Sequence, residues 1–277
     1  EGIVTYFFFY DDSARIWDTG DEVGPEERAF LETLVNRFEH HGHLVWAVAE
    51  EYQERYSAAR VSAVAAVIDE ADDTDHAVAV HKLDGLDFSE LADDPSIDQF
   101  AIQYNVDTPA ELHDGMVTAW GAAAGRYSLN MAEAAGYGSG DTARKKSWAV
   151  AMGGAYVMAL GWDVVSTPIE DLQGCGTLRA FMEATSFPSM APHDELAVGG
   201  ALYVLAAPGE SYIVYADGAS EEPGLRDMTA GTYDLVWLDI PYGTRVVEED
   251  VTVTGGDTTW ARPAGIGDEL ALYISRL

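Results

Sequence analysis

Leu44-Val45-Trp46-Ala47-Val48-Ala49-Glu50-Glu51-Tyr52 is the stretch on which the reading of this chain turns. An unbroken apolar run of this length, closed by two carboxylates, fits a parallel strand buried on both faces that opens into a polar mouth. In sheets of that kind the carboxyl ends of the strands face the ligand. Glu50 and Glu51 are therefore candidates for acid/base work, and a second carboxylate is expected at another strand end.

Working outward, the same pattern repeats. Ile3 to Tyr10 is an apolar run ending in Asp11, Asp12 and Ser13. Pro25 in a first turn, Glu26 and Glu27 at the positive end of the helix dipole, and Phe30, Leu31, Leu34, Val35 and Phe38 at helical spacing predict a helix. His40, His41 and His43 follow it and read as cations at a helix end rather than metal ligands. Ala58 to Ala71 predicts a helix and His76 to His81 a strand that delivers His81. A short helix is expected around Phe88 to Leu91, then a strand from Gln99 that presents Gln103, Tyr104 and Asn105. Helix 109–124 leads to a strand over 126–133 that carries Asn130 and ends in Glu133, the second carboxylate. Helix 142–152, strand 155–160 with Gly161, Trp162 and Asp163 behind it, and helix 178–184 complete the series.

Six strand-then-helix units indicate a parallel sheet wrapped by helices, and a closed (β/α)8 barrel needs eight. The fold class expected is thus α/β, a partial TIM-type barrel over residues 1–193. From about Glu195 the period changes to short strands separated by Pro-Gly, Asp-Gly, Tyr-Gly and Gly-Gly turns, which predicts a small antiparallel β-sandwich over residues 194–277. A chain that opens inside a core strand, with no Met and no leader, is expected to be a fragment or a processed piece. This leaves localisation open.

Composition excludes several classes. The 277 residues carry 48 Asp and Glu against 15 Lys and Arg, a formal charge of -33 that repels nucleic acid and anionic lipid alike. Self-repulsion of that size calls for screening, so adaptation to high salt is expected, where the Debye length falls to roughly 3 Å at 1 M. No apolar run approaches the roughly 20 residues of a membrane span. The single Cys175 cannot form an internal disulfide and reads as a small semi-buried residue. Zinc spacing, a P-loop and a Gly-x-Ser-x-Gly elbow are all missing from the sequence, and Gly136-Tyr-Gly-Ser-Gly140 is misplaced for a dinucleotide fingerprint. No cofactor and no metal are expected, and oligomeric state is not readable.

The ordered set Phe8-Phe9-Tyr10-Asp11-Asp12, Val45-Trp46 with Glu50-Glu51, Val78 to His81, a strand ending in Gln103, and Asn130 with Glu133 and Gly136 resembles the bacterial and archaeal (β/α)8 glycosidase-like proteins related to apiosidases. The tail, with Tyr203-Val-Leu-Ala206, Tyr212-Ile-Val-Tyr215 and Gly231 to Asp239, is similar to a small C-terminal domain labelled a collagen-binding domain of a collagenase, a label that is not an activity. The resemblance implies that the Leu44 strand is the fourth of a barrel, the Arg126 strand the seventh and the Ala155 strand the eighth. Glu51, five positions after Trp46, then becomes the acid/base, Glu133 the nucleophile and Trp162 an aromatic platform under the sugar. Glu50 stands where that family carries Asn, and the first two barrel strands have no counterpart. A carbohydrate substrate and a secreted or cell-surface location are implied in the same way.

In chemical terms, cleaving a glycosidic bond requires one carboxylic acid to protonate the leaving oxygen and a carboxylate to meet the anomeric carbon from the far side. Glu50 beside Glu51 would raise the acid's pKa by like-charge repulsion. Asp11, Asp12, His81, Gln103, Tyr104, Asn130 and Trp162 are the expected sugar contacts. Against this stand a solvated-surface role for the glutamates, a core role for Trp46 and Trp162, and a capping role for Asp11 and Asp12. The alternative function is a non-catalytic carbohydrate- or matrix-binding protein on the same scaffold.

Overall fold

The computed structural model describes residues 4–14, 17–133, 137–157, 165–218 and 221–277. The chain folds into two compact units. One holds the described residues up to Val106, those of 118–133, and 155–157; the other holds 107–117, 137–154 and 165–277.

In the first unit, β1 (Thr5–Tyr10), β2 (Leu44–Ala49), β3 (Val78–His81), β4 (Gln99–Gln103), β5 (Ser128–Glu133) and β6 (Tyr156–Val157) form one sheet in chain order, and every pairing is parallel. Antiparallel neighbours could be joined by tight turns, but parallel ones need long crossovers. The chain supplies α1 (Pro25–Phe38) between β1 and β2, and α2 (Ala58–Ala71) between β2 and β3. Pro25 opens α1 because the first helical position needs no backbone donor. Ser57 caps α2, its hydroxyl accepting from the Arg60 amide at 3.0 Å. The apolar side chains of β1 and β2 meet the helices: Phe7 packs on Phe38 and Trp46, and the Trp46 indole donates to Asp72 at 2.8 Å.

Residues Phe88 to Leu91 form turns rather than the expected short helix. The Ser89 and Ser96 amides donate to the side chains of Asp87 and Asp94, local bonds that compete with helix formation, and Phe88 and Leu91 are buried from within a looped crossover.

The sheet is curled. Tyr6 on β1 lies close enough to Asn130 on β5 for the amide to act on its hydroxyl, although no hydrogen bond of good geometry forms. Four strand spacings on a flat sheet would be about 19 Å. Side chains from β1 and β5 can approach only across a concave face. Small residues at Ala47, Ala49, Ala79 and Ala101 leave room on the sheet for such closure.

The second unit is built on antiparallel strands. A six-stranded sheet runs in the order β13 (Thr244–Val253), β12 (Gly231–Asp239), β15 (Leu270–Arg276), β10 (Ser211–Ala216), β9 (Tyr203–Ala207) and β7 (Ala191–Pro192). A three-stranded sheet pairs β14 (Gly256–Thr259), β11 (Pro223–Met228) and β8 (Ala197–Gly199). Both contribute to one core: Val204, Tyr212, Val214, Leu235, Trp237, Leu272 and Ile274 from the larger sheet meet Leu225 and Met228 from the smaller. Alternate residues of the larger sheet point the other way. There Tyr203 stacks on His113 of α3 (Pro109–Ala123), and Tyr215 stacks on Trp148 of α4 (Asp141–Met152). Phe181 of α5 (Ile169–Met182) packs on the same indole. Helix α5 begins nine residues earlier than the expected Leu178, at Ile169 behind Pro168.

Arg144 ties α4 to the segment before β15 through paired bonds of 2.9 and 2.6 Å to the Glu269 carboxylate. At the sheet edge, β13 carries a bulge: Tyr233 faces Val251 and Leu235 faces Glu248, leaving Glu249 and Asp250 opposite Asp234 alone. Asp250 takes a positive φ of 58° there, and its amide donates to Asp234 at 3.0 Å.

Candidate functional site

The carboxyl ends of the parallel strands converge on one acidic rim within the first unit. β1 ends at Tyr10, whose carbonyl accepts the Glu50 amide at 3.1 Å, so Asp11 and Asp12 leave the sheet beside Glu50 and Glu51. Tyr10 is itself anchored from below. Its hydroxyl donates to Glu27 at 2.6 Å, and Glu27 pairs with Arg60 at 2.5 Å, all three groups being buried. Burial, followed by the Glu27 bond, pushes the Tyr10 phenol well above its ordinary range.

Beyond Ala49 the chain reverses. Glu51 adopts φ 38° and ψ 48°, left-handed backbone that non-glycine residues rarely occupy, and starts a short 3₁₀ turn over Tyr52–Glu54. The Glu54 amide donates to the Glu51 carbonyl at 2.9 Å, and the buried Tyr52 hydroxyl donates to Glu90. That turn brings side-chain oxygens of Asp12, Glu51 and Glu54 within 4.8 Å of one another. Glu54 escaped the sequence reading because nothing in its spacing marks a residue in a 3₁₀ turn.

Across the rim, Gln103 ends β4 and is in register with Glu133 at the end of β5, and the Tyr104 amide donates to the Glu133 carbonyl at 2.9 Å. Glu51 and Glu133 are both half-buried. Desolvation raises the Glu51 carboxyl; the Gln103 amide partly offsets this by hydrogen bonding to it, and the charges of Glu133, Glu54 and Asp12 raise it further. The exposed Glu50 is raised by partial desolvation and then by Asp12, Glu51, Glu133 and Asp11. Asp11 goes the other way, because the hydroxyl and amide of Ser13, each 2.8 Å from it, favour its charged form.

The rim thus gathers Asp11, Asp12, Glu50, Glu51, Gln103, Tyr104 and Glu133. His81 and Asn130 are placed differently. Both align with Ala101, two residues below Gln103 on their strands, and they are only 3% and 4% exposed. Neither nitrogen of the His81 ring has a hydrogen-bond partner among the described residues, and burial pushes its pKa down to about 4, so the ring is neutral. Trp162 lies outside the described residues. The backbone amide of Asn105, also at a strand end in the sequence, donates to the Asp84 side chain at 2.7 Å. Among the described residues no helix is long and apolar enough to cross a membrane.

The fold recurs in solved structures. The chain is similar to a structure named glycoside hydrolase, with a TM-score of 0.64 and 12% identity over 90% of this chain and 68% of that one. The fold is glycoside hydrolase-like. A family 5 glycoside hydrolase from Bacteroides vulgatus ATCC 8482 gives 0.64 and 12%, over 91% of this chain and 66% of that one. A further protein of the same strain, provisionally named a glycoside hydrolase, gives 0.66 and 13%, over 100% and 60%. The chain therefore spans 60 to 68% of the length of these structures. No protein-family model matches it, and neither does any curated protein.

Proposed function

We propose that the chain is a glycosidase-like protein that cleaves a glycosidic bond by a retaining, two-carboxylate mechanism. Glu51 acts as acid/base and Glu133 as nucleophile. The parallel sheet is part of a (β/α)8 barrel within residues 1–193, residues 194–277 form a sandwich-like C-terminal domain, and Trp162 serves as the sugar platform. The relationship to apiosidase-type proteins belongs to this proposal.

One observation carries it. Glu51 and Glu133 leave strands three places apart in the sheet, yet both stand on the same rim, near enough for the charge of one to raise the pKa of the other. In the first step Glu51 gives its proton to the leaving oxygen while a Glu133 oxygen attacks the anomeric carbon, forming a glycosyl ester as the exocyclic bond breaks. In the second step Glu51 takes a proton from water, which displaces Glu133. Retention needs carboxyl groups about 5 to 5.5 Å apart. Gln103, Tyr104, Asp11, Asp12 and Glu50 offer hydrogen bonds to sugar hydroxyls.

A panel of aryl glycosides in concentrated NaCl tests this reading. Glu51→Gln and Glu133→Gln should each lower turnover by about 10²-fold or more. Equal turnover in the variants and the parent would reject the assignment. The closure of His81 and Asn130 to solvent favours the second reading, a non-catalytic carbohydrate- or matrix-binding scaffold. Glycan binding that survives loss of both glutamates would select it.

A further inference from the structure

The second unit holds a cleft of about 300 Å³, at the lower end of the roughly 300 to 1,000 Å³ that small-molecule sites occupy. Its walls come from α4, α5 and the turn that joins β12 to β13. Glu170, Gln173, Gly174 and Thr177 line it from α5, and their i, i+3, i+4, i+7 spacing is a single helix face. A carboxylate, an amide and a hydroxyl stand there, where a helix packed on a core would carry apolar groups.

Gly174 lies inside α5, although glycine is among the weakest helix formers. A Cβ added there would meet no atom within 4 Å outside the helix backbone, so close packing does not account for it. Its effect is to keep the cleft open. From the turn comes Tyr242, 86% exposed. The turn is braced by Asp239, 3% exposed, whose carboxylate accepts the Tyr242 amide at 3.1 Å and the Gly267 amide at 2.6 Å. The Asp239 carbonyl accepts the Gly243 amide at 2.8 Å. An aromatic ring is thus displayed to water on a fixed turn, beside polar groups.

Charge narrows the ligand. Arg144 is the one cation among the described residues that line the cleft, and its guanidinium already binds both oxygens of Glu269 and one of Asp141. Glu170 and Asp171 are left uncompensated, which disfavours an anion. Asp171, 8% exposed, accepts the Gly140 amide at 2.7 Å through one oxygen, and its other oxygen has no hydrogen-bond partner among the described residues. A carboxylate oxygen so nearly buried calls for a donor. Burial and then the Asp171 charge push the Cys175 thiol up to about 11, so it stays protonated, which suits binding rather than reaction. A sugar meets these demands: its hydroxyls donate to carboxylates, and its C–H face lies on the negative face of an aromatic ring.

We propose that this cleft binds a neutral sugar residue, with Tyr242 against its C–H face and Glu170, Asp171 and Gln173 on its hydroxyls. It shares no residue with the carboxylate rim, and the binding does not rest on the proposed hydrolase function.

The test is amide NMR of the full chain, titrated separately with D-glucose, D-galactose and D-xylose. The backbone amides of Gly174, Thr177 and Gly243 should shift saturably with at least one of them. Gly174→Leu fills the cleft with a better helix former, so it should stay folded, as circular dichroism checks, and lose at least tenfold in affinity. Tyr242→Ala, at an exposed position, should weaken binding about fivefold or more. Glu51→Gln/Glu133→Gln should leave these shifts within twofold of the parent. No saturable shift at these amides with any of the three sugars overturns the proposal, as does parental affinity in Gly174→Leu. A tighter response to tetramethylammonium chloride than to the sugars would assign the cleft to a cation and also overturn it. The Glu51 and Tyr104 amides report the rim in the same spectra, so shifts confined to them overturn the cleft and leave the hydrolase function standing.

Discussion

Replacing Glu27 with alanine is the sharpest structural test of how the acidic rim is held. Glu27 and Arg60 are 1% and 6% exposed, their side chains meet at 2.5 Å, and Tyr10 donates to the same carboxylate oxygen at 2.6 Å. Truncating one member of a buried pair leaves the other charge uncompensated, at about 3 to 5 kcal/mol. Arg60 keeps Thr19 at 3.1 Å and the Glu22 carbonyl, which favours the lower half of that range. The orphaned Tyr10 hydroxyl adds about 1 kcal/mol. A loss of about 4 kcal/mol follows, or roughly 8 to 16 °C in Tm for a domain of this size. Urea unfolding at fixed salt would read it as a lower midpoint with unchanged slope. The double variant Glu27→Leu/Arg60→Met, which removes both charges, should recover more than half of the loss. A Glu27→Ala cost under about 1 kcal/mol, or a double variant as unstable as the single one, would refute the reasoning.

Other expectations concern charge and packing. With a formal charge of -33, thermal unfolding should move upward as NaCl rises from 0.1 to 1 M, where the screening length shrinks from about 10 to 3 Å; a flat or falling midpoint would count against salt adaptation. His81 has a folded pKa of about 4, below the ordinary 6.5, so the unfolded chain takes up the proton first. Its contribution is complete above about pH 6.5 and is lost as pH falls toward 4, about 3 kcal/mol in all. His81→Leu should flatten stability over that window at little cost at pH 7, and a denaturation series with the parental slope would contradict this. Gly153→Ala would set a Cβ 2.5 Å from that of Met116 and 3.1 Å from the His113 carbonyl, so a loss of about 1 to 3 kcal/mol is expected in urea melts.

Much of the architecture was legible because strong local signals agree with burial. Pro25 and Phe38 bound α1, Ala58 and Ala71 bound α2, and the Leu44 run ends where its carboxylates begin. What escaped lacks such signals. β11 reads Pro-Gly-Leu-Arg-Asp-Met, a loop by composition, and is a strand because Leu225 and Met228 reach the core shared with the larger sheet. The part of α5 before Leu178 contains Gly174, Cys175, Gly176 and Thr177, weak helix formers held by tertiary packing. At the rim, the polar endings of apolar runs placed Gln103 and Glu133 at the strand ends. It could not show that His81 and Asn130 lie a layer below the surface, because depth on a curled sheet depends on the register between strands.

The bulged outer strand of the antiparallel sheet has a consequence at high ionic strength. Unpaired strand margins invite stacking of one molecule on another, and like charges such as Glu248 and Glu249 ordinarily discourage it. Concentrated salt mutes that repulsion, yet it cannot straighten the kink at Asp250. A guard made of shape keeps working where one made of charge fades, so this margin should resist self-association at ionic strengths that leave the surrounding carboxylates electrostatically silent.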